Sequence, residues 1–579
     1  MQSKRTKILG TLLLLAFAAT VNLAAAHPNI VIVFADDMGW GDVRAFNPES
    51  KIATPNLDRM AREGMRFTDA HAPGSVCFPS RYGLLTGRYP FRKQLRWQKE
   101  ACIAPDRVTL ASLLGAAGYD TAMVGKWHLG FDGGMPYQYD RPFTGGPVDR
   151  GFNYFYGIHA STDIPPYFYV ENRRVTRAPA RTLPARNTEG WTKIQGEFWR
   201  EGQIGEDFEM YDVLPNFTRR AVRFITQQRA KDKPFFLYLP LPAPHTPWVP
   251  VEKWRGRSRV PLFGDFVMQV DDTLGQVMAA LRREKVYENT LVIFTSDNGP
   301  VWYPEDVQRF GHSSAAHWRG MKGDAYEGGH RMPFLAQWPA EVPGGSTSEA
   351  VVSFCDLLAT FAEVTGQKLA KDAGEDSFSL LPLLKGGTKN ARRSMINLSS
   401  RGLLDLREGD WKYIDGLGSG GFTQPNRVKA KPGEPKGQLF NLAAIRVNRT
   451  IWPPGVRKSS PACGPSWSAC ARPGGVVEED RYESNCFAAD LCRRGHGGPG
   501  RGQDSLEAAP DTPRNGRRAG EPADRQGGGR TGEEDHPVVR QDECRGEEPA
   551  SPCGRAIGGL GAGWRWSGQG GAGGWFTGG

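Results

Sequence analysis

Ile30-Val31-Ile32-Val33-Phe34, running straight into Ala35-Asp36-Asp37, decides the fold. A short continuous apolar run suits a strand buried on both faces, as in a parallel sheet. Three further stretches have the same form. Thr121-Ala122-Met123-Val124 ends in Gly125-Lys126-Trp127-His128. Phe235 to Leu239 leads through prolines to His245. Leu291-Val292-Ile293-Phe294 ends in Thr295-Ser296-Asp297-Asn298. Helical spacing fills the intervals over Val108 to Ala117, Thr218 to Arg229 and Phe266 to Arg283. Strands alternating with helices predict an α/β sandwich around a parallel sheet. In such sheets ligands bind beyond the carboxyl ends of the strands. All four runs put their polar residues at that end, so residues far apart in sequence can meet at one site.

The texture changes after about residue 350. Val351 to Glu363 reads as a helix. Ser394 to Leu398 and Trp411 to Ile414 read as short strands, with glycine-rich turns at Gly416 to Gly421, which predicts a small antiparallel subdomain. The chain has 579 residues, enough for a large core plus a smaller module. Its net charge is +10 and no dense basic run accompanies it, so nucleic acid is not the expected partner. Lys4, Arg5 and Lys7 precede a mostly apolar Ile8 to Ala19 and the small residues Ala24-Ala25-Ala26, the pattern of a cleaved secretory leader. The expectation is an exported protein, periplasmic or secreted, starting near His27 and without stable membrane insertion. Only Cys77, Cys102 and Cys355 of the nine cysteines precede residue 445, too few for a disulfide framework.

Chemistry concentrates in three places. In Cys77-Phe78-Pro79-Ser80-Arg81, Pro79 is suited to open a helix, with Cys77 just before it where an oxyanion would bind, and Arg81 a turn inside. Asp36, Asp37, Asp297 and Asn298 put hard oxygen ligands at two strand ends and favour calcium or magnesium over zinc. Lys126, His128, His245 and Lys322 supply cations for an anionic substrate and histidines for proton transfer. Trp40, Tyr167, Tyr169, Trp248 and Trp302 are read as packing before they are read as a ligand wall.

These motifs resemble the formylglycine-dependent sulfatases of the alkaline phosphatase superfamily. Ser75 to Gly87 is similar to that family's first signature, and Gly118 to His128 to its second. Asn29 to Asp37, His245-Thr246-Pro247, Ser296 to Gly299 and Lys322 to Gly329 follow in the family's order, and the resemblance runs from about His27 to Ala444. Phe78 stands where the family more often has a small residue. The resemblance implies an alkaline phosphatase-like α/β/α sandwich with a mostly parallel sheet and a small C-terminal antiparallel subdomain. It implies oxidation of Cys77 to formylglycine by a maturation enzyme, and one calcium ion held by Asp36, Asp37, Cys77, Asp297 and Asn298. Arg81 and Lys126 would hold the aldehyde hydrate, with Ser161 in support. Lys126, His245 and Lys322 would grip the sulfate, and His245 and Lys322 would help the alcohol leave. His128 would take the proton that frees the sulfate. The expected activity is hydrolysis of sulfate esters, aryl or carbohydrate. Two other readings stay open: a phosphonate or phosphate ester hydrolase on the same fold, and a non-catalytic binder of sulfated glycans whose Cys77 stays a thiol.

The expected organisation is a leader over 1–26, a catalytic domain over 27–393, the start of the small subdomain over 394–444, and an aberrant tail over 445–579. From Ile445 glycine, arginine and proline dominate, and Lys458 is the only lysine. One permitted coding of Ile445 to Pro453, regrouped by one base, reads Asp-Pro-Gly-Glu-Pro-Asn-Asn-Leu-Ala. Family members commonly continue in that way after a strand like Gln438 to Leu442. Loss of one G near Ala444 would produce the present sequence and leave the subdomain incomplete, its tail unable to supply a packed core.

Overall fold

A computed structural model of the chain describes residues 27–443, apart from 193, 232, 390 and 391. The expected leader and the expected aberrant tail lie outside the described residues. Ten strands form one sheet, in the order Ser346–Ser348, Met65–Phe67, Phe334–Gln337, Thr290–Ser296, Asn29–Ala35, Phe235–Pro240, Asp120–Lys126, Tyr154–Ile158, Val170–Glu171 and Arg174–Val175. The five from Thr290–Ser296 to Tyr154–Ile158 are mutually parallel, and antiparallel pairs lie only toward the edges. The four apolar runs are therefore the four adjacent strands at the centre of the sheet.

Alternation along the Asn29–Ala35 strand feeds two cores, because successive side chains point to opposite faces. Ile30, Ile32 and Phe34 join one buried cluster, with residues of helices Cys77–Thr86, Leu110–Ala116 and Leu357–Val364. Val31, Val33 and Ala35 join the other, with Pro55–Glu63, Val213–Gln228 and Phe263–Arg283. The sheet is thus covered on both faces, as a parallel sheet must be. The expected helix over Val351 to Glu363 is corrected. Val352–Ser353 is a short strand beside Ala70–His71, and the α-helix starts only at Leu357. The Ser353 side chain caps an intervening 3-10 turn by accepting from the Cys355 N–H.

The small sheet has four antiparallel strands in chain order, Ser394–Leu398, Leu404–Glu408, Trp411–Ile414 and Gln438–Asn441. Its loops touch both segments that carry candidate chemistry. Ser400 N–H donates to the Gly323 carbonyl (2.9 Å), Gly323 N–H to the Ser75 carbonyl (2.7 Å), and Ser75 Oγ to Asn397 Oδ1 (2.9 Å). Beneath it lies a buried polar network. Lys412 Nζ lies 2.9 Å from Glu327 Oε1, 3.2 Å from Asp405 Oδ1 and 2.7 Å from His330 Nε2. His330 Nδ1 lies 3.0 Å from His71 Nδ1, whose Nε2 faces Asp69 Oδ1. An ammonium only donates, so His330 Nε2 accepts. The His330 proton then sits on Nδ1 and points at His71 Nδ1, and the His71 proton sits on Nε2 and points at Asp69. Both histidines are neutral in this chain of bonds, in keeping with pKa values lowered by burial.

Candidate active site

The central strands end level with one another, Ala35 opposite Ser296, so the residues after them converge. Asp37 has a left-handed backbone (φ 63°) that turns it into the site, and its N–H donates to Asp297 Oδ1 at 3.2 Å. Asn298 Nδ2 donates to Asp37 Oδ1 at 2.6 Å. Lys126 closes its strand and bonds Asp36 Oδ2. Gly125 before it lies against the neighbouring strand: a Cβ there would sit 1.9 Å from the Pro240 carbonyl oxygen, at φ 139°. Only glycine allows that approach. His245 follows the Phe235–Pro240 strand, with Nδ1 bonded to its neighbour's carbonyl, Thr246 O, at 2.6 Å and Nε2 3.7 Å from Asp37 Oδ2. Lys322 Nζ lies 2.9 Å from Asp37 Oδ1.

The helix that carries Cys77 spans Cys77–Thr86 with Val76 as N-cap. Pro79 is therefore its third residue rather than its first, and Cys77 sits inside the first turn, where N–H groups lack intrahelical acceptors. Cys77 Sγ lies 3.3 Å from Asp36 Oδ1. Arg81, one turn on, donates to Asp297 Oδ2 at 2.8 Å and lies 3.3 Å from Asp36 Oδ2. Asp36, Asp37, Cys77, Arg81, Lys126, His245, Asp297, Asn298 and Lys322 are all buried and connected through these contacts.

Burial pushes the Asp36 carboxyl up, but Lys126, His245, Arg81 and Lys322 outweigh it and hold the group well below the usual range. Burial and the Asp36 charge push Asp297 up to about 7. Burial, then Asp297 and Asp36, push the Cys77 thiol well up, so as a thiol it is a poor nucleophile at neutral pH. Burial and the Lys126 and Arg81 charges push His128 well down, and burial with Lys322 lowers His245. The Asp36 and Asp37 carboxylates and the Asn298 amide oxygen are donors suited to a hard cation. Asp36, Asp37, Cys77 and His245 each offer an atom within 4.8 Å of the others, and Asn298 Oδ1 is buried without a hydrogen-bond partner. Among the described residues the other group with metal-binding spacing is His71, Glu327 and His330, where Lys412 already supplies the positive charge.

His128 and Ser161 stand apart from this network. His128 also has a left-handed backbone (φ 55°), and no hydrogen bond fixes its ring among the described residues; its Nδ1 is buried and unpartnered. Ser161 Oγ is likewise buried without a hydrogen-bond partner among the described residues. Two neighbours escaped the sequence reading. Asp163 lies two residues beyond Ser161, with one oxygen held by Arg200 at 2.6 Å and the other, unbonded, 3.9 Å from His245 Nδ1. Its nearness to Ser161 was the available signal. Trp97, whose ring meets that of His128, lies in a stretch with no motif and no periodicity. The aromatics Trp40, Tyr167, Tyr169, Trp248 and Trp302 are buried packing residues.

Comparison with known proteins matches the family model described as Sulfatase over residues 28–367. The N-acetylgalactosamine-6-O-sulfatase of Bacteroides thetaiotaomicron is 34% identical over 424 residues, covering 67% of this chain and 82% of that protein. Arylsulfatase A of Homo sapiens is 36% identical over 417 residues, covering 69% and 77%. A solved structure from work on the metabolism of multiple glycosaminoglycans by Bacteroides thetaiotaomicron superimposes with a TM-score of 0.65 at 31% identity, covering 74% of this chain and 95% of that one.

Proposed function

The chain belongs to the sulfatase family and hydrolyses sulfuric esters, and we propose that it does so through formylglycine at position 77 beside one calcium ion. The observation that carries this reading is Cys77, buried in a helix's first turn among carboxylates and cations. Oxidised to an aldehyde and hydrated, position 77 supplies an oxygen nucleophile for sulfur, and calcium supplies fixed positive charge. Asp36, Asp37, Asp297, Asn298 and position 77 are the ligands in this reading. The fit is supported by oxygen donors from two strand ends and by the unpartnered Asn298 Oδ1.

The chain's own residues divide the rest. Arg81 and Lys126 orient the oxygens of position 77, with Ser161 in support. Lys126, His245 and Lys322 donate to the sulfate oxygens, in a buried setting where such bonds are stronger than in water. His245 Nε2 and Lys322 Nζ both face Asp37, and one of them passes a proton to the leaving alcohol. His128, kept neutral by burial and by the Lys126 and Arg81 charges, accepts the proton that leaves position 77 as sulfate departs.

In this reading residues 27–393 are the catalytic domain and 394–444 begin the small subdomain. The substrate is an aryl sulfate or a sulfated carbohydrate, which a screen of both classes resolves. The leader-like pattern of residues 1–26 supports export, and among the described residues no helix is long and apolar enough to cross a membrane. The test is peptide mass spectrometry across Cys77 after co-expression with a formylglycine-generating enzyme. An aldehyde, with loss of sulfate ester turnover in Cys77→Ala, is the expected result. A persistent thiol, or turnover by Cys77→Ala, overturns the proposal.

A further inference from the structure

Two histidines in the site are held in different ways. His245 is pinned by its Nδ1 bond to Thr246 O. His128 Nδ1 is buried without a partner, no hydrogen bond to Nε2 is seen among the described residues, and two aromatic rings meet the imidazole. The Trp97 ring meets it at 4.6 Å between centroids with planes 81° apart, and Phe78 lies at 6.0 Å and 60°. A histidine ring torsion is broad and roughly two-fold, so without a hydrogen bond such contacts decide where its nitrogens point.

We propose that Trp97, together with Phe78, is a positioning residue that sets the ring of His128 for proton acceptance. The proposal rests on the proton-acceptor role given to His128 above. Trp97 is suited to this because it is itself held from behind. Its ring lies 6.3 Å from that of His159, which stacks on Phe168 at 5.1 Å and bonds Pro166 O through Nε2 at 2.8 Å. Its backbone is clamped as well. A Cβ on Gly130 would lie 2.4 Å from the Trp97 carbonyl oxygen, and Met135 N–H donates to Gln98 O at 2.7 Å. The segment that carries Trp97 is thus fastened to the loop that follows His128. Phe78 adjoins the residue that becomes the nucleophile, so its contact links the ring of His128 to position 77. Trp97 is 8% exposed, which leaves little surface for a substrate platform.

A residue acting through His128 affects only the release of sulfate, after the alcohol has left. The expected signature is therefore a split. In matured Trp97→Ala, kcat falls about tenfold to a hundredfold, the scale of an ångström-sized misplacement, while kcat/KM stays near wild type and KM falls with kcat. Trp97→Phe keeps an aromatic contact and should restore kcat to within about threefold. Parallel loss of kcat and kcat/KM would mean general structural damage, and a raised KM at unchanged kcat would mean a substrate wall; either overturns the proposal. A second arm needs no turnover. In unmatured protein with labelled histidines, the His128 imidazole resonances, assigned by their loss in His128→Gln, should move in Trp97→Ala because the ring current is gone and the ring is free to rotate. Shifts confined to other histidines would refute the contact. If wild type fails to turn over any sulfate ester, the functional reading falls, and the resonance arm still decides whether Trp97 holds His128.

Discussion

Replacing Lys412 with methionine removes the buried ammonium under the small sheet while keeping most of its volume. Glu327 keeps Arg331 at 2.7 Å, but Asp405 loses its 3.2 Å ammonium partner. Breaking a buried ion pair from one side costs about 3–5 kcal/mol, and the surviving Arg331 bond argues for about 3. The pH dependence is the sharper test. In the wild type, burial and then the Lys412 charge hold the His330 pKa well below its ordinary value. Below about pH 6.5 the unfolded chain takes up a proton at this residue that the folded chain refuses, so stability is full above that pH and declines below it. The decline approaches about 1.4 kcal/mol per pH unit for one histidine. In Lys412→Met the lysine charge that opposes protonation of His330 is gone, while burial still opposes it. The His330 Nδ1–H still points at His71 Nδ1, and its Nε2–H faces Asp405 at 3.6 Å and Glu327 at 3.9 Å. With His330 less opposed to protonation, and Asp405, already pushed up to about 7 by burial, also able to take up a proton, the variant should trail the wild type by about 3 kcal/mol near pH 8 and by less near pH 5.5. Urea unfolding followed by tryptophan fluorescence at both pH values, at fixed ionic strength, measures the gap. A gap that is constant or wider in acid refutes the proton order assigned to Lys412, His330 and His71.

Elemental analysis of purified protein should find about one calcium per chain, whereas two zinc ions would favour the phosphate ester reading. Gly125→Ala should lower thermal stability by more than about 1 kcal/mol, since the new Cβ meets the Pro240 carbonyl at a positive φ; an unchanged melting curve would contradict the strand register. Resequencing the gene around the Ala444 codon should recover one missing G. An unbroken frame, with tail peptides found in protein from the natural source, would refute the frame-shift reading.

The central sheet was legible because each of its four strands is a run of apolar residues buried on both faces, a signal that needs no partner to be read. The convergence of most candidate site residues was legible because those strands hand over to charged residues at the same end, as at Ala35-Asp36 and Ser296-Asp297. What escaped depends on packing between segments. Glu327 opens the short helix Glu327–His330 in a glycine-punctuated stretch, and its burial follows from Lys412, 85 residues away, which lies beside it. The Leu404–Glu408 strand buries Asp405 and Arg407 toward the catalytic body, a pattern that looks like a strand's wet face in sequence. Trp97 carries no motif because its role comes from the ring it touches. The start of the Cys77 helix was misread because proline at a third helical position is as compatible with a helix as at the first; only the backbone distinguishes them.

The pairing of Asn29–Ala35 with Thr290–Ser296 also sets a clock. The central strand cannot gain this neighbour until the ribosome has passed residue 296, more than two hundred residues beyond the cysteine that the finished fold conceals. At about 5–20 residues per second that delay lasts roughly 10–45 s. Closing so long a loop slows the pairing further. Cys77, 1% exposed once folded, therefore spends tens of seconds on a nascent chain whose sheet cannot yet hide it. The topology that seals the site also grants an interval in which another protein can reach it.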